Sequence, residues 1–145
     1  MAKFKFTLEK ILKIREFEED KAKAELGKAI SESEKIKNNL KYIAQQKVKY
    51  NAEMGTTLEL SYLKSIEDYL KGLEVQKENL LQELAQAELI VEEKRKLLTE
   101  AMQKRKALEK VKEKQFEQFK YDQERAEENA LDDMNSNRAT KKKSN

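Results

Sequence analysis

The sequence has no cysteine, no histidine, no proline and no tryptophan, and only three glycines. Each absence excludes something. Without His or Cys there is no ordinary zinc, haem or thiol site. Ser-His and Cys-His nucleophilic catalysis is excluded for the same reason. Gly27, Gly55 and Gly72 stand alone, so no glycine-rich loop can cradle a phosphate. Lack of cysteine is compatible with a reducing compartment. Apolar runs are no longer than Leu89-Ile90-Val91, so neither a secretory signal nor a membrane span is expected. No catalytic, cofactor-binding or metal-binding residue is expected, and the chain reads as a non-enzyme.

What is present is charge. Of 145 residues, 41% are charged and 38% hydrophobic, with a net charge of +3. That balance, rich in Lys, Glu, Leu and Ala and poor in helix breakers, points to long helices or a coiled coil. A compact globule would need more turns and more buried apolar side chains.

Periodicity supports the coiled coil. Alternate steps of four and three from Leu8 reach Leu12, Arg15, Glu19, Ala22, Leu26, Ala29, Ser33, Ile36, Leu40, Ile43, Lys47, Tyr50 and Met54. Ten of these fourteen positions are apolar. Gly55-Thr56-Thr57 then interrupts. Gly55 is expected to end the helix in the left-handed conformation. Thr56 with Glu59 reads as a capping box for the next helix, with Ser61 as an alternative cap. From Leu63 a second stripe steps by three and four through Ile66, Leu70, Leu73, Lys77, Leu80, Leu84, Ala87, Val91, Lys94, Leu98, Ala101, Arg105, Leu108, Lys112, Gln115, Phe119, Asp122 and Ala126. Thirteen of its nineteen positions are apolar. A strict seven-residue repeat keeps one face toward one partner.

The expected fold is all-α: two long helices forming an antiparallel coiled-coil hairpin over residues 1–131. Helix one is expected at about 7–54, the turn at 55–61 and helix two at 62–131. Residues 132–145 are expected to form a disordered basic tail. Facing Met54 with Leu63 makes paired residue numbers sum to about 117. The acidic cluster Glu16, Glu18, Glu19 and Asp20 then falls between the basic triplets Lys94-Arg95-Lys96 and Lys104-Arg105-Lys106.

The segment Phe4-Lys5-Phe6-Thr7-Leu8 is unusually apolar for so polar a chain. With Thr7 as N-cap, Phe6 and Ile11 take the spacing of a hydrophobic staple. Ile11 and Ile14 lie off the stripe. They either cover the longer second helix or meet another protein. Around residues 60–81 there are again more apolar side chains than one seam needs. Tyr62, Ile66, Tyr69, Leu73 and Leu80 form a stripe beside Leu63, Leu70 and Leu84, so Tyr62, Tyr69 and part of Leu73 are expected to be exposed.

The pattern F-x-F-x-L-x-x-[IL]-L-x-x-R-x-x-E is present as Phe4, Phe6, Leu8, Ile11, Leu12, Arg15 and Glu18. It opens a charged two-helix chain with a basic C-terminus. In this the chain resembles the FliJ family, a component of the bacterial flagellar type III protein export apparatus. The resemblance implies a hairpin similar to the central stalk of rotary ATPases. It implies that the end carrying both termini enters the hexameric ring of the flagellar export ATPase and promotes its assembly and activity. It also implies contact with a membrane export gate protein and with export chaperones. The location implied is cytoplasmic, at the inner face of the cell membrane at the flagellar base.

Carried onto this sequence, the ATPase-binding candidates are Phe4, Phe6, Leu8, Ile11, Leu12, Ile14, Arg15, Phe116, Phe119 and Tyr121. Those for the gate are Tyr62, Ile66, Tyr69, Leu73, Gln76 and Leu80. No cofactor, small-molecule substrate or nucleic acid is expected, and the isolated chain is expected to be a monomer. A generic cytoplasmic coiled-coil scaffold is the alternative. Nucleic-acid binding stands third: residues 94–114 hold nine Lys or Arg against three Glu, but no recognition fold is visible.

Overall fold

A computed structural model describes residues 2–143, with side chains through 140. It contains two helices, α1 (Glu9–Met54) and α2 (Leu60–Lys143). The described chain packs as two compact units. A hairpin unit spans Glu18–Ala101, and a terminal unit joins the residues up to Phe17 with those from Met102 onward.

In the hairpin unit α1 and α2 run antiparallel. The seam follows the seven-residue repeat: Ala29, Ser33, Ile43, Ile66 and Leu73 are buried, and the remaining stripe positions within the unit are buried or half-buried. Glu25 pairs with Lys94 at 3.4 Å, and Lys47 pairs with Glu74. The Tyr50 and Tyr69 rings lie 4.9 Å apart, edge to face. Residue numbers therefore sum to 119 for Glu25 with Lys94 and for Tyr50 with Tyr69, and to 121 for Lys47 with Glu74. The expected sum of about 117 is displaced by roughly half a helical turn. Buried layers such as Ile66 and Leu73 set the register. Exposed charges tolerate such a shift, because surface ion pairs contribute little.

The turn differs from expectation in its chemistry. No glycine has a positive φ, so α1 does not end on a left-handed Gly55. Instead the chain tightens. Gly55 and Thr56 donate backbone bonds to the carbonyls of Ala52 and Glu53 at 3.2 and 3.1 Å, an i→i+3 pattern. The Thr56 hydroxyl also donates to the Glu53 carbonyl at 3.0 Å. Thr56 is thus spent on closing α1 and does not form a capping box with Glu59. The Glu59 carbonyl accepts the first α2 bond, from Leu63 at 3.0 Å. Ser61 lies inside the helix and donates to the Glu59 carboxylate.

In the terminal unit Phe6 and Leu12 are buried. Lys112 pairs with Glu9 at 2.9 Å. The first α1 bond runs from the Leu12 amide to the Leu8 carbonyl, and Glu9 donates back to Phe6. That moves the N-cap to Leu8, one residue past Thr7. The staple from Phe6 to Ile11 is correspondingly absent: Phe6 is buried while Ile11 is exposed.

Helix α2 runs on to Lys143, twelve residues beyond the expected end at 131. The stretch expected as a disordered tail is helical that far, and residues 144–145 lie outside the described residues. No proline or glycine follows Gly72 to stop the helix. Within this stretch the Thr140 hydroxyl donates to the Ser136 carbonyl at 3.0 Å. From Glu124 to Thr140 every side chain is exposed.

Candidate interaction surfaces

The terminal unit gathers aromatic side chains from distant parts of the sequence. The Phe4 ring lies 5.3 Å from Phe116, edge-on, and 5.6 Å from Phe119. Phe4 precedes the helix, and this packing helps to fix it. The Lys112 ammonium sits 6.0 Å from the Phe6 ring centroid while it pairs with Glu9. Its aliphatic stem thus covers the seam while the head stays hydrated. An open groove of about 490 Å³ is lined by Phe4, Leu12, Glu16, Glu109, Lys112, Glu113 and Phe116.

The ten terminal candidates separate into two groups. Phe6 and Leu12 are buried, and Phe4, Leu8, Arg15 and Phe119 are half-buried. Ile11, Ile14, Phe116 and Tyr121 are exposed. Sequence reasoning missed Phe17, which is 69% exposed. Ile11, Ile14 and Phe17 follow one another at three-residue steps and form a slanting strip on α1. That spacing was available in the sequence, but Phe17 was hidden among the acidic residues around it.

In the hairpin unit, Tyr62 and Tyr69 are exposed, as expected. Ile66 and Leu73 are not surface residues. They are 2% and 4% exposed, the best-buried pair on α2. The heptad places both on the seam, and the excess apolar surface lies with the tyrosines. Gln76 is exposed and Leu80 half-buried. Both line a groove of about 380 Å³ with Asn39, Tyr42, Ile43 and Asn79. Tyr42, exposed on α1, is a second residue the sequence reading overlooked. Close to the turn, the Tyr62 hydroxyl donates to the Glu53 carboxylate at 2.5 Å. That bond, desolvation and the Glu53 charge together raise the Tyr62 pKa above its usual value. The Lys47 ammonium, bonded to Glu74, lowers the Glu74 pKa.

Among the described residues no group of His, Cys, Asp or Glu could hold a metal ion. No helix among the described residues is long and apolar enough to cross a membrane. The surfaces can instead bury aromatic and aliphatic side chains against a partner, the usual role of such anchors.

A family model described as the flagellar FliJ protein matches residues 4–144. No curated protein and no solved structure matches the chain.

Proposed function

The chain belongs to the FliJ family of flagellar export components, and from that premise we propose that it acts as a non-catalytic shaft for the flagellar export ATPase. The terminal unit enters the ATPase ring. Ile11, Ile14, Phe17, Phe116 and Tyr121 meet the ring subunits. Phe4, Phe6, Leu8, Leu12, Arg15 and Phe119 hold that surface together from beneath. One observation carries the reading: Phe4 locks onto Phe116 and Phe119 while the neighbouring strip on α1 stays exposed. Packing of this kind presents an apolar surface that is rigid before it binds, which lowers the entropic cost of association.

An asymmetric shaft in a ring of like subunits contacts them unequally. It can then favour one nucleotide state over another in each. No residue of this chain takes part in hydrolysis. The hairpin unit offers Tyr62, Tyr69, Gln76 and Leu80 to the membrane export gate, with Ile66 and Leu73 buried behind them. Export chaperones bind the same protein, which works in the cytoplasm at the inner face of the membrane at the flagellar base.

ATP hydrolysis by the export ATPase, measured as this protein is titrated in, tests the reading. Hydrolysis that rises to a plateau supports it. A flat response, with the ATPase active and the added protein helical, removes it.

A further inference from the structure

Beyond Phe119 the seam stripe has nothing left to pack, and a different stripe begins. Glu124, Glu127, Leu131, Met134, Arg138 and Lys141 follow at alternate steps of three and four. All six lie on α2. At 100° per residue they share one face about 100° wide. Their spacing is that of a coiled-coil seam, rotated away from the positions that continue the α1 contact, such as Ala126. At its centre Leu131 and Met134 are 59% and 54% exposed.

The order of chemistry along this face is self-complementary. It reads acid, acid, apolar, apolar, base, base. The whole segment shares that polarity: residues 122–133 hold six acidic side chains and one Arg, and residues 134–145 hold four basic ones and no acid. Neither Glu127 nor Arg138 has an opposite charge three or four residues away along its own helix, so neither can be satisfied by a local pair.

We propose that this face pairs with the same face of a second copy of the chain, antiparallel and two-fold symmetric. Paired residue numbers then sum to 265. Leu131 meets Met134 of the other copy and Glu127 meets Arg138, and each contact occurs twice. Antiparallel coiled coils bring together these two kinds of seam position, and a two-fold interface must be self-complementary. A parallel pair would set acid on acid and base on base. Only two residues per chain are apolar, so the interface belongs to the small, weak class. It forms at high local concentration and holds the exposed leucine and methionine away from other partners.

Sedimentation equilibrium of the full chain tests this, from about 10 µM to about 1 mM, a range suited to weak association. At low ionic strength the mean mass climbs toward two chains. Salt at about 0.5 M suppresses the climb, because exposed charge pairs are screened. Glu127→Arg alone and Arg138→Glu alone each weaken association at least about tenfold, and the double variant restores it to within about threefold, the signature of a direct pair. All these side chains are exposed, and circular dichroism confirms that each variant stays helical. A single cysteine carrying a spin label at position 120 fixes direction. Antiparallel pairing holds the two labels roughly 37 Å apart, whereas parallel pairing brings them to about 10 Å. A monomer at every concentration, failure of the double variant to restore association, or the short distance overturns the proposal.

Discussion

The Tyr62 hydroxyl donates to the Glu53 carboxylate across the turn, 2.5 Å from the first turn of α2 to the last turn of α1. This bond needs a protonated phenol. Tyr62 therefore keeps its proton above the ordinary value of 10.0. Its pKa is higher folded than unfolded. The stabilisation is fully present below the unfolded value and is lost as pH rises through the folded one. A spectrophotometric titration, compared with that of Tyr62→Phe, is expected to place the Tyr62 ionisation above its ordinary value. Glu53→Gln lowers that component. A late component that survives in Glu53→Gln would assign the shift to some other group.

Lys47 and Glu74 act on the acid side. Glu74 has a pKa below its usual 4.5, chiefly through the bond from Lys47. Here the folded value is depressed, so the stabilisation is present above the unfolded value and is lost as pH falls through the folded one. Thermal melts of wild type and Glu74→Gln are expected to differ at neutral pH and to converge as the pH falls through the lowered Glu74 value. A gap that stays constant as the pH falls would contradict this pair's role.

Ile66 and Tyr69 separate packing from recognition. Ile66→Ala removes a buried side chain at the seam and is expected to cost about 2–5 kcal/mol. In a two-helix core this small, that is a large share of total stability. Tyr69→Ala trims an exposed ring that packs edge to face with Tyr50 and is expected to cost about 1 kcal/mol or less. Urea unfolding checks both. If gate binding is lost in Tyr69→Ala while the unfolding midpoint barely moves, the tyrosine is a contact residue.

Gly72 lies exposed inside α2, and a Cβ there would meet nothing within 4 Å. Gly72→Ala is expected to stabilise the protein by about 0.5–1 kcal/mol through helix propensity. A lower melting temperature in this variant would mean that the helix needs its flexibility there.

The seam was legible in the sequence because the seven-residue repeat leaves little freedom. All fourteen positions from Leu8 to Met54 are buried or half-buried, and so is the second stripe from Leu63 to Lys112. Charged members such as Glu19 and Lys47 follow the rule as faithfully as Leu12 and Ile43. What could not be read was anything set by a single turn of chain. Thr7 and Leu8 are both plausible helix starts, and only backbone bonding selects Leu8. Gly55 allows a left-handed cap without requiring one. The register was off by about half a turn because it was set by facing Met54 with Leu63 across the turn, and the exposed charges that agreed with it constrain position weakly. Helix α2 ran past 131 because a polar sequence without breakers can stay helical with nothing packed on it. The exposed strip at Ile11, Ile14 and Phe17 was read only in part. Off-seam residues reveal themselves by exposure, which sequence alone does not supply. The partner assignments rest on the family and on that exposure together.

The central claim is that the terminal unit's exposed strip drives the export ATPase. The most direct test measures ATP hydrolysis with wild type and with Ile14→Asp combined with Phe17→Asp. Both positions are exposed, so the variant should keep its helicity and melting temperature. The expected result is stimulation by wild type, and a loss of at least about tenfold in the variant's potency, as for removal of interface anchors. Full stimulation by a variant that is equally well folded would contradict the account and place the ATPase contact elsewhere on the chain.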